Sequence, residues 1–170
     1  MLPRATALAD SAAPVTDVVE LRFDQRERSR LRARLASGEE IGIDLPVGTV
    51  LHHGSRLELD GGRVVAVEAA IESLLEITAD DGAGLARIAY HVGNRHVPIE
   101  IAGDRLRILP DHVLRAMVEG LGGRIREVAE RFHPEAGAYG HGHVHGHHHH
   151  DDEGHGGRIH TIDPASVRRP

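Results

Sequence analysis

The residues best able to do chemistry are histidines near the end of the chain. His141, His143, His145, His147, His148, His149, His150 and His155 fall within fifteen positions, and His160 follows. Neutral imidazole is a borderline ligand suited to nickel, copper, zinc and iron. Glycines between several of these histidines let the backbone fold around an ion with little steric cost. Neighbouring imidazoles on one chain also raise each other's effective concentration. Asp151, Asp152 and Glu153 add negative charge and oxygen ligands. Such a tract binds several ions weakly and exchanges them easily. That behaviour suits storage or hand-over better than catalysis, which needs a preorganised set of ligands. An affinity tag fits poorly: only His147–His150 are consecutive, and ordinary sequence runs on to Arg168-Arg169-Pro170.

The remaining histidines are isolated. His91 and His96 bracket the end of a predicted helix, and His112 falls in the first turn of a second one. One histidine per chain holds a metal poorly. On a two-fold axis it becomes two, because an isologous interface repeats every residue. The helix dipole disfavours imidazolium at His112, so a neutral ring there is compatible with the local field. His52 and His53 lie in a predicted turn and read as surface residues without a role. His133 ends the last predicted strand and could join the ligands of the tail.

Composition narrows the classes. The chain has no cysteine, which removes thiolate sites, disulfides and cysteine nucleophiles. Its formal charge of -6 argues against a nucleic-acid partner, which would call for a basic face. No apolar run approaches the ~20 residues of a membrane-spanning helix. Residues 1–14 are small, polar and Pro-containing; they read as a disordered start and not as a signal peptide, so a cytoplasmic location and no membrane contact are expected. There is no His-Glu-x-x-His, no Gly-x-Ser-x-Gly, no phosphate-cradling loop and no lysine, so an enzyme is not expected.

The elements that must position the histidines follow from periodicity. Residues 15–72 read as a small all-β domain. Arg28, Arg30, Arg32 and Arg34 alternate with Ser29, Leu31, Ala33 and Leu35, the period of a half-buried strand. Ile41, Ile43 and Leu45, then Leu57 and Leu59, then Val64 to Val67 continue as short strands ended by Gly or Pro. Residues 73–134 mix strand and helix. Leu74 to Thr78 is a strand, and Asp80 or Asp81 caps the helix that follows. Leu85, Ile88, Ala89 and Val92 share one helix face, and Gly93-Asn94 end it as a left-handed cap. Ile99 and Ile101 alternate around Glu100, and Gly103-Asp104 turns the chain into Leu106 and Ile108. Pro110 opens a second helix with Val113, Leu114, Met117, Val118 and Leu121 as its stripe, and Gly122-Gly123 stop it. Arg124 to Phe132 is the last strand. The order β-α-β-β-α-β is the ferredoxin-like pattern, so the fold class is α+β. Residues 135–170 are too poor in apolar side chains to fold alone and read as a flexible tail.

The run Tyr90-His91-Val92-Gly93-Asn94-Arg95-His96-Val97-Pro98-Ile99-Glu100-Ile101, with Asp111-His112-Val113-Leu114, resembles the urease accessory protein UreE family. Gly93-Asn94-Arg95-His96 is the most specific part of it. Arg26 to Gly61 resembles the family's N-terminal domain, which is described as peptide-binding, and the tail resembles its His-rich extensions. The resemblance implies a homodimer joined through the second domain, with His96 as a nickel ligand shared across the axis. It implies delivery of Ni2+ to apo-urease alongside other accessory proteins, including the maturation GTPase. His112 matches a position implicated in metal binding in some members. There a second histidine can stand two residues earlier, where this chain has Pro110.

A His-rich buffer for nickel, zinc or copper without a dedicated client is the alternative that the tail alone supports equally well. Nitrogen sites favour Cu over Ni with Zn close behind, so Zn2+ or Cu2+ should substitute in vitro. Metal could also link dimers into tetramers. Protons compete for imidazole, so binding should weaken below about pH 6.

Overall fold

The computed structural model describes residues 2–136. The first half is built of strands β1 (Arg4–Leu8), β2 (Asp17–Leu21), β3 (Arg30–Arg34), β4 (Glu40–Asp44), β5 (Arg56–Leu59) and β6 (Val64–Ala69), with one helical turn, α1 (Phe23–Arg26), between β2 and β3. They form one sheet in the order β2-β6-β5-β1-β4-β3. Alternation sets the inward face. Ile41 and Ile43 of β4, Leu57 and Leu59 of β5, and Val65 and Val67 of β6 are buried together. On β3 the arginines point out while Leu31 and Ala33 are half-buried, as the period of two requires. The outer strands approach each other: Val19 bridges to Leu35, and the Ala36 N–H donates to the Val18 carbonyl at 2.8 Å. The sheet therefore nearly closes on itself, which leaves little open edge.

The start of the chain departs from expectation. Residues 4–8 are not disordered; β1 lies inside the sheet, parallel to β4 and antiparallel to β5. Only Ala5 of the strand is buried, so side-chain apolarity gives little signal. The strand is held by backbone pairing on two sides, which periodicity does not report.

The second half runs β7 (Ile71–Thr78), α2 (Gly82–Gly93), β8 (Glu100–Ala102), β9 (Arg105–Ile108), α3 (His112–Gly120) and β10 (Arg124–Arg131). Its sheet order is β10-β7-β9-β8, with every neighbouring pair antiparallel. Ile88 and Val92 of α2 and Leu114 and Val118 of α3 pack on Leu75, Ile77, Leu106 and Ile108 of the sheet. Asp81 caps α2 by accepting from the Gly84 N–H at 2.7 Å. Asp111, not Pro110, caps α3: its carboxylate accepts from the Val113 and Leu114 N–H groups at 2.8 and 2.9 Å. Pro110 thus stands outside the helix, and Val113 lies off the apolar stripe, 57% exposed. At the other end Gly122 takes φ 86°, while the Gly122 N–H reaches Glu119 O and the Gly123 N–H reaches Val118 O, a left-handed stop.

The opposite face of this sheet is charged. Glu76 is 4% exposed and is met by Arg126 at 2.6 Å, Arg107 at 3.0 Å and Arg105 at 3.4 Å. Bonds from Arg126, then from Arg107, hold its carboxyl below the usual range against the opposing effect of burial. The two sheets join at Ala70, and Phe23, Leu74 and Phe132 form a small apolar cluster between them. The chain is therefore α+β, with a β-rich half and a strand–helix half. Among the described residues no helix is long and apolar enough to cross a membrane.

Candidate functional site

The sequence motif falls on the end of α2 and the turn that leads to β8. The helix is not closed by a left-handed Gly93 or Asn94. Asn94 keeps right-handed geometry, φ -64° and ψ -10°. The left-handed residue comes two positions later, at His96, φ 55°, the one non-glycine residue with positive φ among the described residues. The turn is tied by the Arg95 N–H to Val92 O at 3.0 Å and the His96 N–H to Gly93 O at 2.9 Å. Arg95 also donates through its guanidinium to the His91 carbonyl at 2.8 Å. A side chain in this conformation costs about 1–2 kcal/mol, which glycine would avoid. Strain of this kind concentrates where a side chain must be presented in a set direction. His96 is exposed, and no described side chain hydrogen-bonds its ring.

The other candidates are separate. His91 is half-buried in the last turn of α2, its ring edge-on to Tyr90 at 5.4 Å. His112 is the first residue of α3, next to the Asp111 cap. The cap's bond from Leu114, and then that from Val113, lower the Asp111 carboxyl, with a smaller contribution from His112. Among the described residues no three His, Asp or Glu side chains are grouped as metal ligands within one chain. His141, His143, His145, His147, His148, His149, His150 and His155, and the tail's expected flexibility, lie outside the described residues.

Sequence reasoning gave His53 no role. In the structure its Nδ1 accepts from the Ala69 N–H at 3.3 Å, and its ring lies edge-on to His133 at 5.6 Å. With Nδ1 accepting, the neutral ring carries its proton on Nε2 and offers a donor, not a lone pair, on its other side. The pair is thus a contact between the two halves in this state and not a ready metal clamp. Desolvation of its covered flank lowers the His133 pKa, with Glu100 opposing and His53, Arg26 and Arg131 adding to it. No sequence period signals this contact, because it joins residues eighty positions apart.

Glu100 is a second surprise. It is buried, while Ile101 is 56% exposed. Its carboxylate accepts from Arg107 at 3.2 Å and from the His133 N–H at 2.9 Å. Alternation fixed which residues share a face but not which face is inside.

These features define an α+β protein of two sheets that displays an isolated histidine on a strained turn. Residues 1–70 match the UreE urease accessory protein, N-terminal domain, and residues 72–160 match the UreE urease accessory protein, C-terminal domain. The chain belongs to the UreE family of urease accessory proteins. It is 46% identical over 126 residues to the urease accessory protein UreE of Beijerinckia indica, covering 74% of this chain and 73% of the relative. The counterpart from Dechloromonas aromatica is 47% identical over 149 residues, 83% and 85% of the two chains. That from Acinetobacter baumannii (strain AYE) is 48% identical over 123 residues, 72% and 77%.

Proposed function

We propose that this chain is a nickel metallochaperone of the cytoplasm that donates Ni2+ during assembly of the urease metallocentre. Family membership supplies the client, and the exposed His96 at positive φ is the observation that carries the site. An ion held by His96 and its copy across a two-fold axis has few protein ligands and open positions, so it exchanges readily. His112 and His91 stand as secondary ligand candidates, and the tail histidines as collectors that pass ions on by ligand exchange. Zn2+ or Cu2+ occupies the same imidazoles in vitro. The second half is a ferredoxin-like domain that forms the homodimer, which metal can link into tetramers. Apo-urease and the other accessory proteins, the maturation GTPase among them, are the partners.

The test is removal of residues 137–170 followed by nickel titration. A carrier centred on His96 keeps about one ion per two protomers. A simple buffer loses nearly all its capacity, and that result would overturn the reading.

A further inference from the structure

The two edges of the four-stranded sheet differ. At one edge β8 is three residues long and follows the His96 turn. At the other, β10 is eight residues long, and among the described residues it pairs on one side only, with β7. Its register against β7 is unbroken, so no bulge turns it away, and it contains no proline. A long edge of this kind invites a further strand unless charge keeps one off. β10 does carry charge, but of both signs: Arg124, Arg126, Glu127, Glu130 and Arg131.

Alternation sorts these side chains. Arg124, Arg126, Val128 and Glu130 share the face centred on Glu76, while Ile125, Glu127, Ala129 and Arg131 share the helix face. On the first face Glu130 stands directly across from Glu72, a like-charge pair that is unfavourable. The Glu72 carboxylate is engaged by the Phe23 N–H at 2.7 Å and by Arg22 at 3.4 Å. Glu130 is exposed and has no ion-pair partner among the described residues. Arg126 bonds Glu76 through Nη2 at 2.6 Å, yet its side chain is 70% exposed. A guanidinium has five N–H donors, so Arg126 can take a second carboxylate.

We propose that β10 is a docking edge for a second copy of this chain, the two strands pairing antiparallel with Val128 opposite its own copy. In that register Arg126 meets the partner's Glu130 and Glu130 meets the partner's Arg126, because a two-fold contact makes every pairing twice. Each unmatched carboxylate thereby gains a counter-charge. Centring the pair on Glu127 sets that carboxylate against itself, and centring it on Ala129 leaves Glu130 against Val128. The registers between these turn the helix face of one copy against the charged face of the other. The contact joins two four-stranded sheets into one. It uses the edge away from β8, so the His96 turn stays uncovered, and it does not rest on the carrier reading.

The chain has no cysteine, so one introduced thiol reports the register. The full chain carrying Val128→Cys, or separately Arg124→Cys, is oxidised with diamide in EDTA, which removes metal-bridged copies. A disulfide needs Cα atoms within about 7 Å. Copies of Val128 meet that condition, whereas copies of Arg124 stand about 27 Å apart. Val128→Cys is expected to give a covalent dimer on a non-reducing gel and Arg124→Cys a single chain, although random collision favours the more exposed Arg124. Adding Glu130→Arg to Val128→Cys sets arginine against arginine and slows cross-linking about tenfold or more. The same substitution relieves the pair with Glu72, so the melting temperature holds or rises, which separates lost pairing from lost folding. Sedimentation of the cysteine-free chain in EDTA keeps the test open where Val128→Cys folds poorly: Glu130→Arg lowers the average mass at matched concentration. Equal linkage at the two positions, no linkage at Val128, or linkage and mass indifferent to Glu130→Arg would each overturn the proposal.

Discussion

The two halves of the molecule bury their sheets in different ways. The six-stranded sheet nearly closes on an apolar interior, with Leu57, Ile41, Val65 and Val67 fully buried. The four-stranded sheet has an apolar face under two helices and a charged face centred on Glu76. The first is held by burial that no single pair dominates. The second depends on a few polar groups whose partners must all be present, because a buried charge left alone is expensive. The half with the distributed core carries little candidate chemistry. The half with the specific network carries the His96 turn.

The sharpest way to break the contrast is to damage each half in its own currency. Leu57→Ala empties a fully buried position of the closed sheet. It should cost about 2–5 kcal/mol, seen as a lower denaturant midpoint with far-UV structure intact before unfolding. Glu76→Gln removes the charge that three arginines share. Those arginines are 19–70% exposed, so water compensates part of the loss, and about 1–3 kcal/mol is expected.

Glu76 also predicts a pH dependence. Its folded-state pKa is lowered, so the stability it contributes is complete above the unfolded value, about 4.3, and is lost as pH falls through the folded one. Wild type should lose stability across that acid range while Glu76→Gln changes less. Equal acid profiles in urea melts would remove Glu76 from the account.

How far each half is legible in sequence follows the same division. Arg30 to Arg34 and Ile41 to Leu45 announce strands because the closed sheet needs strict alternation. Strand β1 is invisible because Ala5 alone faces inward and neighbours supply the pairing. In the second half, element order is legible from period and caps, with Asp81 where expected. Glu100 is not, since a buried carboxylate can be justified only by partners distant in sequence, Arg107 and His133. The motif identifies His96 by resemblance, but its left-handed backbone is set by the turn bonds from Arg95 and His96 and not by composition.

The smallest predicted effect isolates that turn. His96→Gly should be more stable than His96→Ala by about 1 kcal/mol, because glycine takes positive φ without strain. Thermal melts of the two variants check this, and equal midpoints would mean that the turn stores no strain.

The most direct measurement of the central claim is calorimetric nickel titration of the chain lacking residues 137–170, with and without His96→Ala, at neutral pH and at about pH 5.5. The site is expected to be present at neutral pH, weakened by acid as protons take the imidazole, and absent in His96→Ala. Tight binding that survives either the substitution or the acid would contradict the claim.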